Sequence, residues 1–162
     1  MMRKLSVYLD TSVVNFLFAD DAPEKQATTI EFFERCVKKE TSRFCISPVV
    51  VDEIQRTTDP GRRADLLAVL SRYPLNMLDV KSRPDIQALA VALIRKGVIP
   101  ARKPEDALHL AVAVVHGMDV LASWNYKHLA NINKERRVAD VCLEMGYARL
   151  LRMTTPLEVM GS

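Results

Sequence analysis

The sequence predicts an α/β fold built on a parallel sheet, and three observations carry that expectation. Short runs of β-forming residues recur along the chain, at 5–9, 43–46, 76–80, 119–123 and 150–153. One or two helical segments separate each run from the next, the alternation that produces parallel strands. The segment 104–116 is apolar on nearly every side, through Ala107, Leu108, Leu110, Ala111, Val112, Ala113, Val114 and Val115. A helix of that kind is buried on most sides. With 162 residues and no linker, repeat or low-complexity tract, the chain reads as one domain spanning 1–162.

The elements follow in order. Val7 and Leu9 sit in a short apolar run that ends at Asp10, and Asp10, Thr11 and Ser12 each suit the N-cap of a first helix. Pro23 opens a second helix with Ala27, Ile30, Phe33 and Val37 on its apolar face. After the strand 43–46, Ser47-Pro48 reads as N-cap and first residue of a helix carrying Val49, Val50, Val51, Asp52, Glu53 and Ile54. Asp59-Pro60 starts another, packed through Leu66, Leu67, Val69 and Leu70. Pro84 opens the best-patterned helix, with Ile86, Leu89, Ala90, Leu93 and Ile94 at helical spacing and Gly97 as its stop. A last helix is expected over 133–145, ending at Gly146.

Bulk composition excludes several classes. The chain is 49% hydrophobic and 27% charged, ordinary for a globular protein, and no apolar run approaches membrane-spanning length. Asp10 interrupts the apolar region soon after Arg3-Lys4, so no signal peptide is expected. Cys36, Cys45 and Cys142 are odd in number and widely spaced; they read as buried thiols in a reducing cytoplasm. A net charge of +3 permits a polyanionic partner without demanding one.

The chemistry is expected at strand ends. Asp10 lies where open α/β sheets place their ligands, at the C-terminal end of a first strand. On this stretch alone it serves equally as a helix cap. In the apolar helix 104–116 the exceptions Asp106, His109 and His116 fall at i, i+3 and i+10 and share one stripe. Asp106 in the first turn gains from the helix dipole. Its isolation in a buried helix also makes it a site residue, with His109 as support behind it. Glu53 carries weight only as the third carboxylate of a set, and Asn125, after the fourth strand, is either a turn residue or part of the same cluster. Three carboxylates and an amide would suit a hard cation such as Mg²⁺ or Mn²⁺. The three histidines lack zinc-ligand spacing, and no Gly-rich phosphate loop or G-x-S-x-G elbow is present.

Taken together, Leu9-Asp10-Thr11-Ser12, Glu53, Asp106-Ala107-Leu108-His109-Leu110-Ala111 and Ser123-Trp124-Asn125 resemble a PIN domain, in particular the toxins of VapBC toxin–antitoxin systems. Thr155-Pro156-Leu157-Glu158 resembles the ending of one subgroup. The resemblance implies a three-layer α/β/α fold on a five-stranded parallel sheet, and a Mg²⁺- or Mn²⁺-dependent endoribonuclease. It implies a homodimer held by a cognate antitoxin, with no membrane involved. Carried onto this sequence, Asp10 and Asp106 would be metal ligands, Glu53 a ligand directly or through water, and Thr11 or Ser12 would hydrogen-bond the carboxylates. Asn125 stands where many members have a fourth acid. RNA contacts are expected from Arg102, Lys103 and Lys127, with Trp124 or Tyr126 stacking on bases; 134–137 is a further basic candidate, while Arg62-Arg63 reads rather as a solvated helix face. The competing reading is a PIN fold with weak catalysis, retained for nucleic-acid binding or scaffolding.

Overall fold

In Ser6–Leu9 (β1) every residue is buried, so this strand has a hydrophobic layer on each side. It is the middle strand. The computed structural model describes residues 3–125, 129 and 132–161. In it β1 is flanked by Arg43–Ile46 (β2) and Val120–Ala122 (β4), with Asn76–Met77 (β3) and Arg152–Thr154 (β5) at the edges. The order is β3-β2-β1-β4-β5, and every pairing is parallel. Tyr8 pairs with Cys45 and Leu121, and Leu9 with Ala122.

The period of two in β1 separates the two cores. Tyr8 faces one layer, formed by Pro84–Arg95 (α5), Pro104–Val115 (α6) and Ile132–Glu144 (α7). Val7 and Leu9 face the other, with Thr11–Asn15 (α1), Pro23–Phe32 (α2) and Pro60–Arg72 (α4). Pro48–Gln55 (α3) sends Val49 into the first core and Val50 and Ile54 into the second. The predicted three-layer arrangement with five parallel strands is therefore the observed one.

Local signals account for most boundaries. Ser47 caps α3 by accepting from the Val49 amide, Asp59 caps α4 through the Gly61 amide, and proline opens five of these helices, α2 to α6. Gly97 ends α5 in the left-handed conformation, at φ +71°.

Four expectations are corrected. The sequence puts the apolar face of α2 on Ala27, Ile30, Phe33 and Val37, yet Ile30 is 46% exposed. The helix widens into a π-helical stretch at Phe33–Val37, which turns adjacent Phe32 and Phe33 both into the core. β3 covers only Asn76–Met77 rather than 76–80; one further bond, from the Leu78 amide to the Ile46 carbonyl, extends the ladder before Asp79 turns away. A last helix, Pro156–Met160 (α8), follows β5 and packs on α2; the Thr155/Glu158 capping box that starts it is legible in the sequence. Cys45 and Cys142 are buried free thiols as expected, while Cys36 is only partly buried. No helix among the described residues is long and apolar enough to cross a membrane.

Candidate active site at the sheet switch point

The strand order reverses direction beside β1, since β2 lies on one side and β4 on the other. Chain segments leaving β1 and β4 therefore diverge, opening a crevice at their C-terminal ends. The crevice is a cleft of about 140 Å³ lined by Asp10, Thr11, Ser12, Asn15, Glu53, Asp106, His109 and Asn125. Five elements or their flanks supply these residues: β1, α1, α3, α6 and the turn after β4.

Asp10 occupies the N-cap position of α1, but its side chain caps nothing. Its two oxygens accept instead from Ser12 Oγ at 2.5 Å and Ser123 Oγ at 2.6 Å. Each serine oxygen in turn accepts a backbone amide, from Trp124 and Asn125 respectively. The turn after β4 thus holds the carboxylate through two hydroxyl relays. Asp10 is only 3% exposed, and burial raises its pKa against the opposing pull of His109 and the two serines.

Asp106 sits in the first turn of α6, where Asn125 Nδ2 donates to its Oδ2 at 3.2 Å. Burial, then the charge of Asp10, pushes its pKa up to about 6. Glu53 Oε1 accepts from Thr11 Oγ1 and from His109 Nε2, both at 2.6 Å. Burial works against its charged form, but the hydrogen bonds from His109 and Thr11 outweigh it and hold the pKa below the usual glutamate range. The cleft therefore concentrates carboxylates that repel one another, with oxygen as its main donor atom. Among the described residues no three acidic, histidine or cysteine side chains form a ready-made metal cage.

Residues 7–135 match the PIN domain family, a stretch that includes Asp10, Glu53, Asp106 and Asn125. The chain belongs to the PIN domain family. Solved structures share the fold along nearly the whole chain. A Rickettsia felis VapBC2 complex bound to a promoter DNA fragment aligns over 92% of this chain and 98% of its own at 17% identity, with a TM-score of 0.57. A DNA-bound VapBC from Salmonella typhimurium gives 94% and 98% coverage, 19% identity and a TM-score of 0.56. Mycobacterium tuberculosis VapC20, a sarcin-ricin loop cleaving toxin, covers 75% of this chain and 92% of its own at 17% identity, with a TM-score of 0.52. No curated protein sequence matches this one.

In this PIN domain Asp10, Thr11, Ser12, Glu53, Asp106, His109 and Asn125 all meet at the cleft. Trp124 does not, and its expected stacking role is corrected. It is 6% exposed, its indole Nε1 donates to Thr29 Oγ1 at 2.9 Å, and its ring packs 6.0 Å from that of Phe16. A buried indole needs a partner for its N–H, and Thr29 inside α2 supplies one. His116 leaves the stripe to hydrogen-bond the Asp79 carbonyl. Arg102 and Lys103 are exposed beside the start of α6, whereas Lys134 and Arg137 reach the carbonyls of Val98 and Gly97 at the end of α5. Lys127 and Tyr126 lie outside the described residues. Sequence reasoning missed Asn15, which lines the cleft from the end of α1, and Tyr8 and Ser47, which sit behind it. Of these only Ser47 carried a signal, as the N-cap of α3.

Proposed function

We propose that this PIN domain, taken as the unit 1–162, is a Mg²⁺- or Mn²⁺-dependent endoribonuclease and the toxin of a toxin–antitoxin pair. The observation that carries the reading is the convergence of Asp10, Glu53 and Asp106 on one small cleft at the sheet switch point. The donor chemistry fits a hard cation. Asp10 and Asp106 are pushed toward protonation first by burial, then by the charge of Glu53 at Asp10 and of Asp10 at Asp106, a strain that a divalent charge relieves. Such ions take one or two carboxylates and keep several waters, so a complete protein cage is not required.

Asp10 and Asp106 would hold the ion, with Glu53 contributing directly or through water. When bound, the ion supplies positive charge against the scissile phosphate and makes water a better nucleophile at neutral pH. The two serine relays keep both oxygens of Asp10 from rotating, so it meets its ligand preorganised. Glu53 is ionised and has Oε2 without a hydrogen bond among the described residues, which suits it to accept a hydrogen bond from the attacking water and orient it. Arg102 and Lys103 would contact flanking phosphates of RNA, whose cleavage leaves a 5′-phosphate and a 3′-hydroxyl. A homodimer inhibited by a cognate antitoxin is part of this reading, and the fold it shares with the VapBC complexes supports the antitoxin.

The test is cleavage of single-stranded and looped RNA by purified protein in Mg²⁺, Mn²⁺ or EDTA. Cleavage is expected only with metal, and Asp10→Asn or Asp106→Asn should abolish it without unfolding the chain. Expression in a bacterial host should arrest growth, and Asp10→Asn should remove the arrest. Metal-independent cleavage, or equal cleavage by the Asp10→Asn/Asp106→Asn variant, would overturn the assignment. Binding of RNA with no cleavage would favour the scaffolding alternative, to which Asn125 beside Asp106 lends its one support.

A further inference from the structure

Behind the cleft wall a line of buried polar groups crosses the first core. The Val49 amide donates to Ser47 Oγ at 3.2 Å, and Ser47 Oγ lies 2.7 Å from the Tyr8 hydroxyl. The Tyr8 hydroxyl is 2.7 Å from His109 Nδ1, and His109 Nε2 is 2.6 Å from Glu53 Oε1. Tyr8 and Ser47 are fully buried, and His109 is nearly so. Polar groups in such surroundings are costly unless every one is satisfied. Phenylalanine would fill the Tyr8 site with no such demand.

The directions of these bonds follow from the two ends. Glu53 is an ionised acceptor, so the hydrogen at the last link is on His109 Nε2. Nδ1 then accepts from the Tyr8 hydroxyl, whose oxygen accepts from Ser47, whose oxygen accepts from the Val49 amide. The His109 Nε2 hydrogen points mainly at Glu53 Oε1, with Thr11 Oγ1 a more distant second oxygen at 3.3 Å. In the other tautomer the Nε2 lone pair would face a carboxylate oxygen at 2.6 Å, and that contact is repulsive. The Thr11 hydroxyl donates to the same Glu53 oxygen from the opposite element, at 2.6 Å.

We propose that Tyr8 and Ser47 act as positioning residues: through His109 they fix the rotation of the Glu53 carboxylate, so that β1 sets a catalytic group carried on α3. The terminal torsion of a glutamate is broad and nearly two-fold, and a half-exposed glutamate on a helix samples it freely. Two donors on Oε1, one rigidly held from behind, leave Oε2 as the oxygen presented to the cleft. The relay is assembled from β1, the start of α3 and α6, so it also ties the geometry of Glu53 to that of Asp10 on the end of the same strand.

This inference rests on reading the cleft as a nuclease site, and two measurements separate the two. The first needs neither metal nor activity: nitrogen-15 NMR of the imidazoles, with His109 assigned by loss of its signals in His109→Gln. His109 should be the Nε2–H tautomer with a hydrogen-bonded Nδ1, and Tyr8→Phe should shift the Nδ1 resonance toward that of a free acceptor. A protonated Nδ1, or no shift in Tyr8→Phe, overturns the relay. The second is steady-state cleavage of RNA. Tyr8→Phe should lower kcat about tenfold with KM little changed, the size usual for residues that orient a first ligand. His109→Leu should fall further, and His109→Gln, which returns an N–H near the Nε2 position, should recover most of the loss. Equal kcat in parent and Tyr8→Phe, or His109→Gln no better than His109→Leu, refutes a positioning role. A parent that does not cleave RNA refutes the nuclease reading, and the NMR then decides the relay by itself.

Discussion

Asn125 donates its side-chain amide to Asp106 Oδ2 across 3.2 Å, joining the turn after β4 to the first turn of α6. The amide offers this carboxylate a hydrogen but brings no charge of its own to the cleft. Asn125→Asp at nearly constant volume should therefore have opposite effects with and without metal. Mn²⁺ affinity should tighten by about 1 kcal/mol for a partly solvated charge. In EDTA the melting temperature should drop, because a fourth carboxylate faces Asp106. Calorimetric titration of both proteins, with melting in EDTA, measures the two effects; unchanged values in both would remove Asn125 from the site.

The metal-free protein should be more stable at mildly acidic pH than at neutrality. Asp106 moves from 3.8 unfolded to about 6 folded, so between those values the folded chain binds the extra proton and stability falls as pH rises. A shift of that size corresponds to about 3 kcal/mol for a fully buried group. Water at the cleft mouth should reduce it to about 1 kcal/mol. Asp119 acts in the other direction. Hydrogen bonds from Arg3, opposed by burial and helped by Ser6, hold its pKa well below the usual range, and Arg149 pairs with it as well. Its contribution is present above pH 4 and is lost as pH falls further. Melting in EDTA from pH 3 to 8 should pass through a maximum near pH 5. Asp106→Asn should flatten the alkaline limb and Asp119→Asn the acid limb.

Trp124→Phe separates the core role of this residue from a nucleic-acid role. The change removes a buried hydrogen bond to Thr29 and leaves that hydroxyl its bond to the Lys25 carbonyl. A loss of about 1–2 kcal/mol in urea unfolding is expected. The KM for RNA should stay at the parent value wherever the variant remains folded. A raised KM with unchanged stability would return Trp124 to the binding surface.

Arg102→Ala and Lys103→Ala should act chiefly on binding, although the Lys103 charge also favours ionised Asp106. Both side chains are exposed, and neither has an ion-pair partner among the described residues. Each substitution should raise KM with little change in kcat and reduce the slope of log affinity against log salt by about 0.7, the value for one single-strand phosphate contact. A salt slope equal to that of the parent would show that the RNA follows another path.

The linear chain was enough for the architecture, for local reasons. Proline at six helix starts, serine and aspartate caps, and short β-branched runs act within a few residues, so they are readable without knowing what packs where. Asp10 and Asp106 stand out in the sequence because each interrupts an otherwise apolar element, whereas Glu53, next to Asp52, draws notice only as the third carboxylate of a set. What those side chains touch was decided only by tertiary structure. Asp10 looks like a cap in sequence, and its carboxylate is locked at the cleft only because the end of β4 brings Ser123 beside it, 113 residues away. Trp124 looks like a surface aromatic in a polar turn, yet it is drawn inward because α2 carries a hydroxyl, Thr29, at the right place. Tyr8 is an ordinary strand residue until α6 sets His109 against it across 101 residues. Helix caps and strand propensities are local free energies; hydrogen-bond partners across a sheet are settled by which strands become neighbours, and no local pattern records that.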